Sequence, residues 1–342
     1  MAHRPTMKAW LYDSTSPSVV QNLTFNASAR SPPSPSRPSQ LLIKVLSTAL
    51  NPADCKVPEQ STILGYTLIC KLPASPGLDF AGEVVATHPS HNGEFKTGQR
   101  VYGCLARPRE FGTTGEYILV NQNDLAPLPK EGVSVDNAAC LGVAVRTAYQ
   151  SVKPYLTKPE MKVFINGGSG GCGVFAIQFA KMLGAHVTVT CSTKNIGLVE
   201  SLGADQVIDY TAVDVTEALK GMGLVFDLVL DHIGIPMDLY AQAHHFLKGS
   251  GTWVQVGAGS MMTAVWRLIT PRFLGGGRRW FVPLAMKNSK EDLVELGQLL
   301  AQKKFRVVVD EVFGFENVPE AYKKLGTGRA RGKIVVRVAE SD

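Results

Sequence analysis

The sequence has few cysteines for its length, and their spacing matches no cysteine-based framework. Six cysteines occur in 342 residues, and no two of them form a C-x-x-C pair. A disulfide framework or a zinc ribbon requires closely spaced pairs, so neither is predicted. Several of the cysteines lie in apolar runs, where a free thiol behaves as a small hydrophobic side chain.

The sequence also lacks the apolar segments that direct a chain to a membrane or anchor it there. Residues 1–8 contain no hydrophobic core of a signal peptide, and no uninterrupted apolar run reaches the length of a transmembrane helix. The net charge is +6, but the lysines and arginines are scattered along the chain. We therefore expect a cytoplasmic protein with no membrane span that binds a small molecule rather than a nucleic acid.

A glycine-rich turn near the middle of the chain is the most informative feature. It follows the apolar run 163–165, which is typical of a parallel strand buried on both faces. A helical apolar stripe at 174–183 and a second apolar run at 186–190 complete a β-α-β unit. The turn fits the pattern G-x-G-x-x-G at Gly168, Gly170 and Gly173.

Glycines at such a turn let the backbone approach a pyrophosphate, which the N–H groups and positive dipole end of the following helix then bind. The alternative is a tight turn with no ligand, and the strand, helix and second strand in register favour the binding site. The turn residues predicted to contact a dinucleotide are Gly168, Ser169, Gly170, Gly171, Cys172 and Gly173.

The end of the second strand indicates which dinucleotide binds. An NAD site places Asp or Glu about 20 residues beyond the glycines, where it holds the ribose 2′-hydroxyl. Residues 190–195 contain no carboxylate, whereas Ser192, Thr193 and Lys194 offer two hydroxyls and an ammonium that suit a 2′-phosphate. Alternatively, a hydroxyl caps the next helix and Lys194 is solvated surface. The missing acid favours NADPH over NADH.

The first part of the chain is rich in short strand patterns. Residues 8–12, 19–25 and 41–46 are examples, and further strand patterns continue to residue 120. The Ser- and Pro-rich segment 27–40 cannot pack, so it is predicted to be an exposed loop. This region is therefore expected to form a β-rich lobe.

From residue 135 the pattern changes to helices that alternate with strands, as in a doubly wound parallel sheet. Helices are predicted at 137–152 and 237–247, among others, and a final strand, helix and strand are expected to return to the first lobe. We predict an α/β protein whose β-rich catalytic domain comprises residues 1–128 and 289–342 and whose Rossmann domain comprises residues 129–288.

Several motifs together resemble one enzyme superfamily over nearly the whole chain. They are NPAD at 51–54, PGLDFAG at 76–82, RTAY at 146–149, the glycine turn, LGAD at 202–205 with DY at 209–210, and GKIVV at 332–336. With them the chain resembles the medium-chain dehydrogenase/reductase superfamily, and specifically its zinc-independent quinone oxidoreductase and enoyl reductase branch. The resemblance implies a GroES-like fold for the β-rich domain.

The resemblance also predicts that no metal is bound. The zinc alcohol dehydrogenases of the superfamily use two cysteines and a histidine, but here Leu78 replaces the histidine and the cysteine positions fall near Asn51 and Val143. Without a Lewis acid, hydride transfer is easier onto a carbon that is already electrophilic. The implied activity is NADPH-dependent reduction of an activated C=C bond in an enone, an enoyl thioester or a quinone.

The sequence and the resemblance together assign further residues. Asn51 is expected beside the nicotinamide and is also a catalytic candidate. Tyr66 is the candidate proton donor. Alternatively, Tyr66 is a packed aromatic side chain, or water supplies the proton. Asp54 would fix the loop beside Asn51, and His232 would be a structural histidine near the cofactor. The cofactor contacts assigned beyond the glycine turn are Asn51, Thr147, Ser192, Thr193, Lys194, Tyr210, Val256, Gly257 and Lys333.

Several alternatives remain open at this level. The chain could be a carbonyl or alcohol dehydrogenase of the same superfamily, or a cofactor-binding scaffold with vestigial turnover. The apolar and basic stretch 261–283 either lines a substrate mouth or forms a subunit contact. Relatives of this type pair through the edge strands of their Rossmann sheets, so the resemblance is compatible with a homodimer. The substrate stays unnamed, because secondary-metabolite biosynthesis and carbonyl detoxification would share these features.

Overall fold

The computed structural model describes residues 5–61, 71–256 and 278–339. The chain separates into two compact units, the first comprising Met1–Arg146 with Lys287–Asp342 and the second comprising Thr147–Met286. The first unit extends past residue 128, because the helix Val135–Ala139 packs against strands of its sheet.

Short strands dominate the N-terminal part of the first unit, as their alternating apolar residues predict. These strands are β1 (Thr6–Leu11), β2 (Thr24–Arg30), β3 (Gln40–Ala49), β4 (Asp79–Thr87), β5 (Arg100–Cys104), β6 (Tyr117–Asn121) and β7 (Leu125–Pro127). The helices in this stretch are α1 (Ala53–Ser61), α2 (Val135–Ala139) and α3 (Val143–Val152), the last of which continues past the boundary at Arg146.

The second unit alternates strands with helices. Its strands are β8 (Lys162–Asn166), β9 (His186–Cys191), β10 (Gln206–Asp209), β11 (Phe226–Asp231), β12 (Leu247–Gln255) and β13 (Trp280–Pro283), and its helices include α4 (Gly173–Met182), α5 (Ile196–Ser201) and α6 (Val215–Met222). The strands are all parallel and lie in the order β10-β9-β8-β11-β12-β13. Strands β8, β9 and β10 follow one another toward one edge of the sheet, and the chain then returns to the other side of β8 to place β11, β12 and β13. This is the arrangement of a dinucleotide-binding Rossmann sheet, and the prediction of a doubly wound sheet is confirmed.

The C-terminal segment completes the first unit. It contains α7 (Lys290–Ala301), β14 (Val309–Gly314), α8 (Val318–Gly326) and β15 (Lys333–Arg337). Strand β15 pairs antiparallel with β3 and parallel with β14, so the large sheet has the order β14-β15-β3-β4-β5-β7, with β6 also paired to β3. The predicted return of the tail to the β-rich lobe is therefore correct.

The helices are short, and most of them keep an exposed face, whereas α4 is buried along nearly its whole length. Helix α7 begins at Ser289, whose hydroxyl accepts a hydrogen bond from Asp292 N at 3.0 Å, and it buries Leu293, Leu296 and Leu300. Such capping satisfies one of the backbone donors that a helix start leaves unpaired. In the part of the chain that the structure describes, no helix combines the length and the apolarity needed to cross a bilayer.

Of two predictions near the N-terminus, the strand at 19–25 is wrong, and the loop at 27–40 is wrong only at its start, since residues 31–39 form no strand or helix. Residues 19–25 were expected to be a strand, but Val20–Asn22 is a 3₁₀ turn and the strand begins at Thr24. Strand β2 then runs to Arg30, into the segment predicted as a loop, because it pairs with β1 from Thr24 opposite Leu11 to Arg30 opposite Thr6. Backbone pairing thus overrides the polar composition of the start of that segment.

Two helix predictions in the middle of the chain also need correction. Residues 137–152 form α2 and α3 with a break between them, where a Cβ on Gly142 would lie only 1.9 Å from Asp79 Oδ1. Residues 237–247 contain turns and the 3₁₀ segment Ala243–His245 instead of an α-helix. Met237 is largely exposed, but Leu239, Ala243 and Phe246 are buried in a core cluster of the second unit. The apolar pattern is therefore buried as expected, while most of the backbone hydrogen bonds span three residues, as in Ala243 N to Tyr240 O at 3.1 Å, which is a turn geometry and not an α-helix.

Candidate cofactor-binding and catalytic residues

The glycine turn leaves β8 as a tight bend that no larger residue could form at its key positions. A Cβ on Gly173 would lie 2.1 Å from Gly167 O, so only glycine lets α4 start this close to the strand end. Gly168 N donates to Thr190 O at 2.8 Å, which ties the turn to β9. Around Gly170 the nearest atom to an added Cβ is 3.6 Å away, which leaves room for a ligand. These features fit the diphosphate of a nicotinamide dinucleotide.

A buried network of polar side chains holds this turn in place. The fully buried Asp231 accepts hydrogen bonds from Asn166 Nδ2 at 2.9 Å and from Gln255 Nε2 at 2.9 Å. Thr190 Oγ1 donates to Asn166 Oδ1 at 2.8 Å and accepts from Gly167 N at 2.8 Å. The carboxyl ends of β8, β9, β11 and β12 are therefore connected below the turn.

The predicted 2′-phosphate residues lie at the same edge of the sheet. Strands β9 and β10 pair with Cys191 opposite Asp209, and Tyr210 N donates to Cys191 O at 3.2 Å. This register places Ser192 at the end of β9 and Tyr210 at the end of β10. Lys194 is exposed, and its ammonium makes no hydrogen bond or ion pair with any residue that the structure describes.

Thr193 differs from this expectation, because its hydroxyl is already engaged. It donates to Asp209 Oδ2 and lies 2.9 Å from Thr211 Oγ1. Hydrogen bonds from the hydroxyls of Thr193 and Thr211 lower the pKa of Asp209. Asp209 ends the third strand of this unit, β10, whereas the acid that holds the ribose in an NAD site is expected at the end of the second strand, β9.

Asn195 was not singled out from the sequence, yet it connects two predicted cofactor residues. Its side-chain Nδ2 donates to Ser169 Oγ at 3.0 Å and to Ser192 Oγ at 3.3 Å. The turn after β8 and the end of β9 are thereby joined through one amide. An asparagine at the start of a helix is ordinarily interpreted as a cap, so nothing in the local pattern indicates this role.

The other predicted contacts in the second unit have varied surroundings. Thr147 is buried in α3, and Val256 N donates to Asp231 O at 2.9 Å. His232 follows β11; its two ring nitrogens are buried and have no hydrogen-bond partner in the described part of the chain. Burial lowers the pKa of His232 to about 4, so its imidazole is neutral at pH 7. Gly257 lies outside the described residues.

The basic stretch 261–283 is described only from residue 278 onward. There, Arg279 Nε donates to Leu247 O at 2.6 Å and its Nη2 donates to His244 O at 3.1 Å. This guanidinium therefore holds the backbone around the start of β12. Trp280 is 71% exposed on β13.

Asn51 and Lys333 are brought together in the first unit although 282 positions separate them. Lys333 Nζ donates to Asn51 Oδ1 at 2.6 Å, and Asn51 Nδ2 donates to Asp79 Oδ2 at 2.8 Å. Lys333 Nζ lies 3.6 Å from the same Asp79 oxygen, and all three side chains are buried. We call Asn51, Asp54, Asp79 and Lys333 the buried polar cluster.

Asp54 anchors the loop that carries Asn51, as the sequence analysis expected. Its Oδ2 accepts from Asn51 N at 2.9 Å and from the Tyr322 hydroxyl at 3.2 Å, whereas its Oδ1 is buried without a partner in the described residues. Burial raises the pKa of Asp54 to about 7, with the nearby Asp79 carboxylate acting in the same direction and the bond from Asn51 N opposing it. Tyr66, the candidate proton donor, lies outside the described residues.

The side chains at the former metal-ligand positions do not fit zinc. Leu78 and Val143 have no side-chain lone pair, and Asn51 Oδ1 already accepts from the Lys333 ammonium. Zinc sites use about three or four N, S or O donors in tetrahedral geometry. Across residues 5–61, 71–256 and 278–339, no group of three or more His, Cys, Asp or Glu side chains could hold a metal ion.

Two protein-family profiles match the chain. The profile described as alcohol dehydrogenase GroES-like domain matches residues 37–130, and the profile described as zinc-binding dehydrogenase matches residues 202–336. The expected GroES-like fold of the first unit is therefore confirmed.

Relatives and solved structures extend the similarity to nearly the full chain. The trans-enoyl reductase pgmF of Aspergillus terreus is 43% identical, over 98% of this chain and 97% of the relative. The mitochondrial NAD(P)H oxidoreductase RTN4IP1 of Danio rerio is 33% identical, over 99% and 93%. The structure of the quinone oxidoreductase from Coxiella burnetii has a TM-score of 0.85 and 31% identity, over 97% of this chain and 99% of that one. The resemblance inferred from the motifs is confirmed.

The raised pKa of Asp54 predicts a pH-dependent stability. Between about pH 4 and pH 7 the folded protein keeps a proton on Asp54 that the unfolded chain has released, so folding stability falls as pH rises through this window. Asp54→Asn removes this titration. The free energy of unfolding of the variant, relative to wild type, should therefore increase from pH 4 to pH 7 by a few kcal/mol at most, on the order expected for such a shift.

Denaturant unfolding at several pH values measures this difference. The variant Asp13→Asn, which removes an exposed carboxylate of the same unit, controls for the lost charge. A difference between Asp54→Asn and wild type that stays constant from pH 4 to pH 7 would contradict the assignment.

Proposed function

Because the chain belongs to the medium-chain dehydrogenase/reductase superfamily, we propose that it is a zinc-independent reductase that uses NADPH to reduce an activated C=C bond. The observation that carries this proposal is the set of side chains at the positions that resemble the zinc ligands, where Leu78 and Val143 have no lone pair and Asn51 Oδ1 accepts from Lys333 Nζ. The enoyl thioester is the preferred substrate class, since the Aspergillus relative is named a trans-enoyl reductase. Enones and quinones are the related acceptors.

The glycine turn and the ends of β9 and β10 would hold the cofactor. Gly168, Gly170 and Gly173 shape the turn that receives the diphosphate, and the start of α4 directs its positive dipole end there. The 2′-phosphate would lie beside Ser192, Lys194 and Tyr210, of which Lys194 is an exposed cation without a described partner. When bound, the nicotinamide supplies a hydride.

The protein residues have three tasks in this reaction. Asn51 is held rigidly by Asp79 and Lys333, so its amide can keep a fixed orientation toward a bound ligand. Hydrogen-bond donors of the protein stabilise the enolate that develops as the alkene is reduced. Tyr66 is proposed to return a proton to the α-carbon, with water as the alternative source.

An activated alkene is favoured over a ketone or alcohol for a chemical reason. Reduction of a simple carbonyl places negative charge on an alkoxide oxygen, which the zinc enzymes stabilise with their metal. A conjugated alkene spreads that charge over an enolate, so hydrogen bonds from the protein can suffice. The side chains of Asn51, Leu78 and Val143 do not form a set of metal ligands, so they suit the reduction of a conjugated alkene.

The substrate class is tested by following NADPH oxidation with a panel of enoyl thioesters, enones, quinones, aldehydes and ketones. We expect turnover with the first three groups, little with simple aldehydes and ketones, and no loss of rate after treatment with a strong chelator. Chelator-sensitive reduction of aldehydes would support the carbonyl dehydrogenase alternative. Tight NADPH binding without turnover of any compound would support the scaffold alternative.

The cofactor preference is tested at Lys194. Lys194→Ala removes one charge-assisted contact to the 2′-phosphate, so the Kd for NADPH should rise about tenfold while the Kd for NADH changes about twofold or less. Calorimetry or nicotinamide fluorescence measures both constants. Lys220→Ala, which removes a half-buried lysine paired with Glu217 in the same unit, is the control for net charge. Equal losses for both dinucleotides would remove Lys194 from the phosphate site.

A further inference from the structure

Asn195 is a buried amide placed between two serines that the proposed function assigns to the cofactor. Only 6% of the residue is exposed. Its Nδ2 donates one hydrogen bond to Ser169 Oγ in the glycine turn and one to Ser192 Oγ at the end of β9, at 3.0 Å and 3.3 Å. Both hydrogens of the amide nitrogen are therefore used, and both are used on serine oxygens.

This arrangement is not the ordinary use of asparagine at such a position. Asn195 is the N-cap residue of α5, where its side-chain oxygen would normally accept from a backbone N–H of the first turn. No such bond forms, and Oδ1 is buried without a partner among the described residues. The Asn195 side chain therefore forms no capping bond and leaves one acceptor unpaired, and both effects lower the stability of the folded protein. Its contacts with the serines are the only use of the side chain that the described residues provide.

The direction of these bonds determines what the serine hydroxyls can do. A hydroxyl has one hydrogen to donate, and each serine here accepts from Asn195, so its own hydrogen stays available. Neither Ser169 nor Ser192 donates that hydrogen to any residue in the described part of the chain. We propose that Asn195 is a positioning residue that fixes Ser169 and Ser192 as hydrogen-bond donors to the phosphates of the dinucleotide, with Ser192 directed to the 2′-phosphate.

The chemistry of the ligand makes this direction useful. Phosphate oxygens are anionic acceptors, and a hydroxyl that donates to them forms a short, charge-assisted bond. If the amide were reversed, both serines would donate to Asn195 Oδ1, and they would present lone pairs to the phosphates. Nδ2 would then lie where Oδ1 now lies, and its two hydrogens would be buried without a partner in place of one unpaired acceptor. The observed orientation is the one that favours an anionic ligand.

The inference rests on the proposed NADPH preference and is tested by the ratio of Kd for NADH to Kd for NADPH, measured by calorimetry. The variants are Asn195→Ala, Ser192→Ala and the double variant. Effects transmitted through Ser169 are common to both dinucleotides and cancel in this ratio. We expect Ser192→Ala to lower the ratio about tenfold and Asn195→Ala about threefold or more. The double variant should lower it no further than Ser192→Ala alone, because Asn195 acts through Ser192.

Asn195→Asp provides a second test that keeps the size of the side chain. A carboxylate only accepts hydrogen bonds, so the serines must donate to it and can no longer donate to phosphate. The ratio should fall at least as far as in Asn195→Ala, and this fall should be smaller in a Ser192→Ala background. Melting temperatures close to that of wild type exclude a general loss of structure, since Asn195 makes no capping bond.

The outcomes separate this inference from the proposed function. A wild-type ratio near one contradicts both the NADPH preference and the role of Asn195. A clear wild-type preference for NADPH, combined with effects of Asn195→Ala and Ser192→Ala that multiply in the double variant, overturns only the role of Asn195. An unchanged ratio in Asn195→Asp overturns it as well.

Discussion

The second unit depends on one buried carboxylate, that of Asp231. Its Oδ1 accepts from Asn166 Nδ2 at 2.9 Å, from Gly234 N at 2.7 Å and from Ile233 N at 3.2 Å, and its Oδ2 accepts from Gln255 Nε2 at 2.9 Å. A buried charge is unfavourable unless it is surrounded by donors, and here four donors compensate for the lost water. Because Asn166 ends β8 and Gln255 ends β12, the carboxylate at the end of β11 joins three strand ends at the edge of the sheet from which the glycine turn leaves.

The first unit has a comparable centre in the buried polar cluster. Lys333, on the last strand of the chain, is bound to Asn51, near the first helix, and lies beside Asp79 at the start of β4. The ammonium balances the Asp79 carboxylate, and Asp79 Oδ1 accepts from Val143 N at 2.7 Å, which fixes the start of α3. The cluster therefore determines the local fold around Asn51 and the start of α3. The same residues connect the architecture to the proposed chemistry.

The sequence allowed good prediction of features that depend on local pattern. The glycine turn, the alternation of strands and helices around it, and the return of the tail could be inferred because apolar periodicity and glycine spacing carry that information. Residues 19–25 and 237–247 were misassigned because short apolar segments fit more than one structure, and strand pairing or the local backbone turns decide between them.

Long-range side-chain contacts could not be predicted from one sequence. The bond between Lys333 and Asn51 joins positions 282 residues apart, and the contact of Thr193 with Asp209 depends on which strands are neighbours. Asn195 was missed because Ser169 becomes its neighbour only where the turn after β8 packs beside the end of β9. In each case the residue type was visible in the sequence, but its partner was set by the packing of the sheet.

The central claim is that this enzyme delivers hydride to carbon of an activated alkene rather than to a carbonyl carbon. The most direct measurement uses an α,β-unsaturated thioester and NADPH deuterated at C4 of the nicotinamide, in both stereoisomers, with the product analysed by NMR and mass spectrometry. The account predicts one deuterium at the β-carbon of a saturated thioester with one of the two stereoisomers. Deuterium on the carbonyl carbon of an unsaturated aldehyde formed with release of the thiol, or on the carbinol carbon after a second hydride transfer, would contradict it.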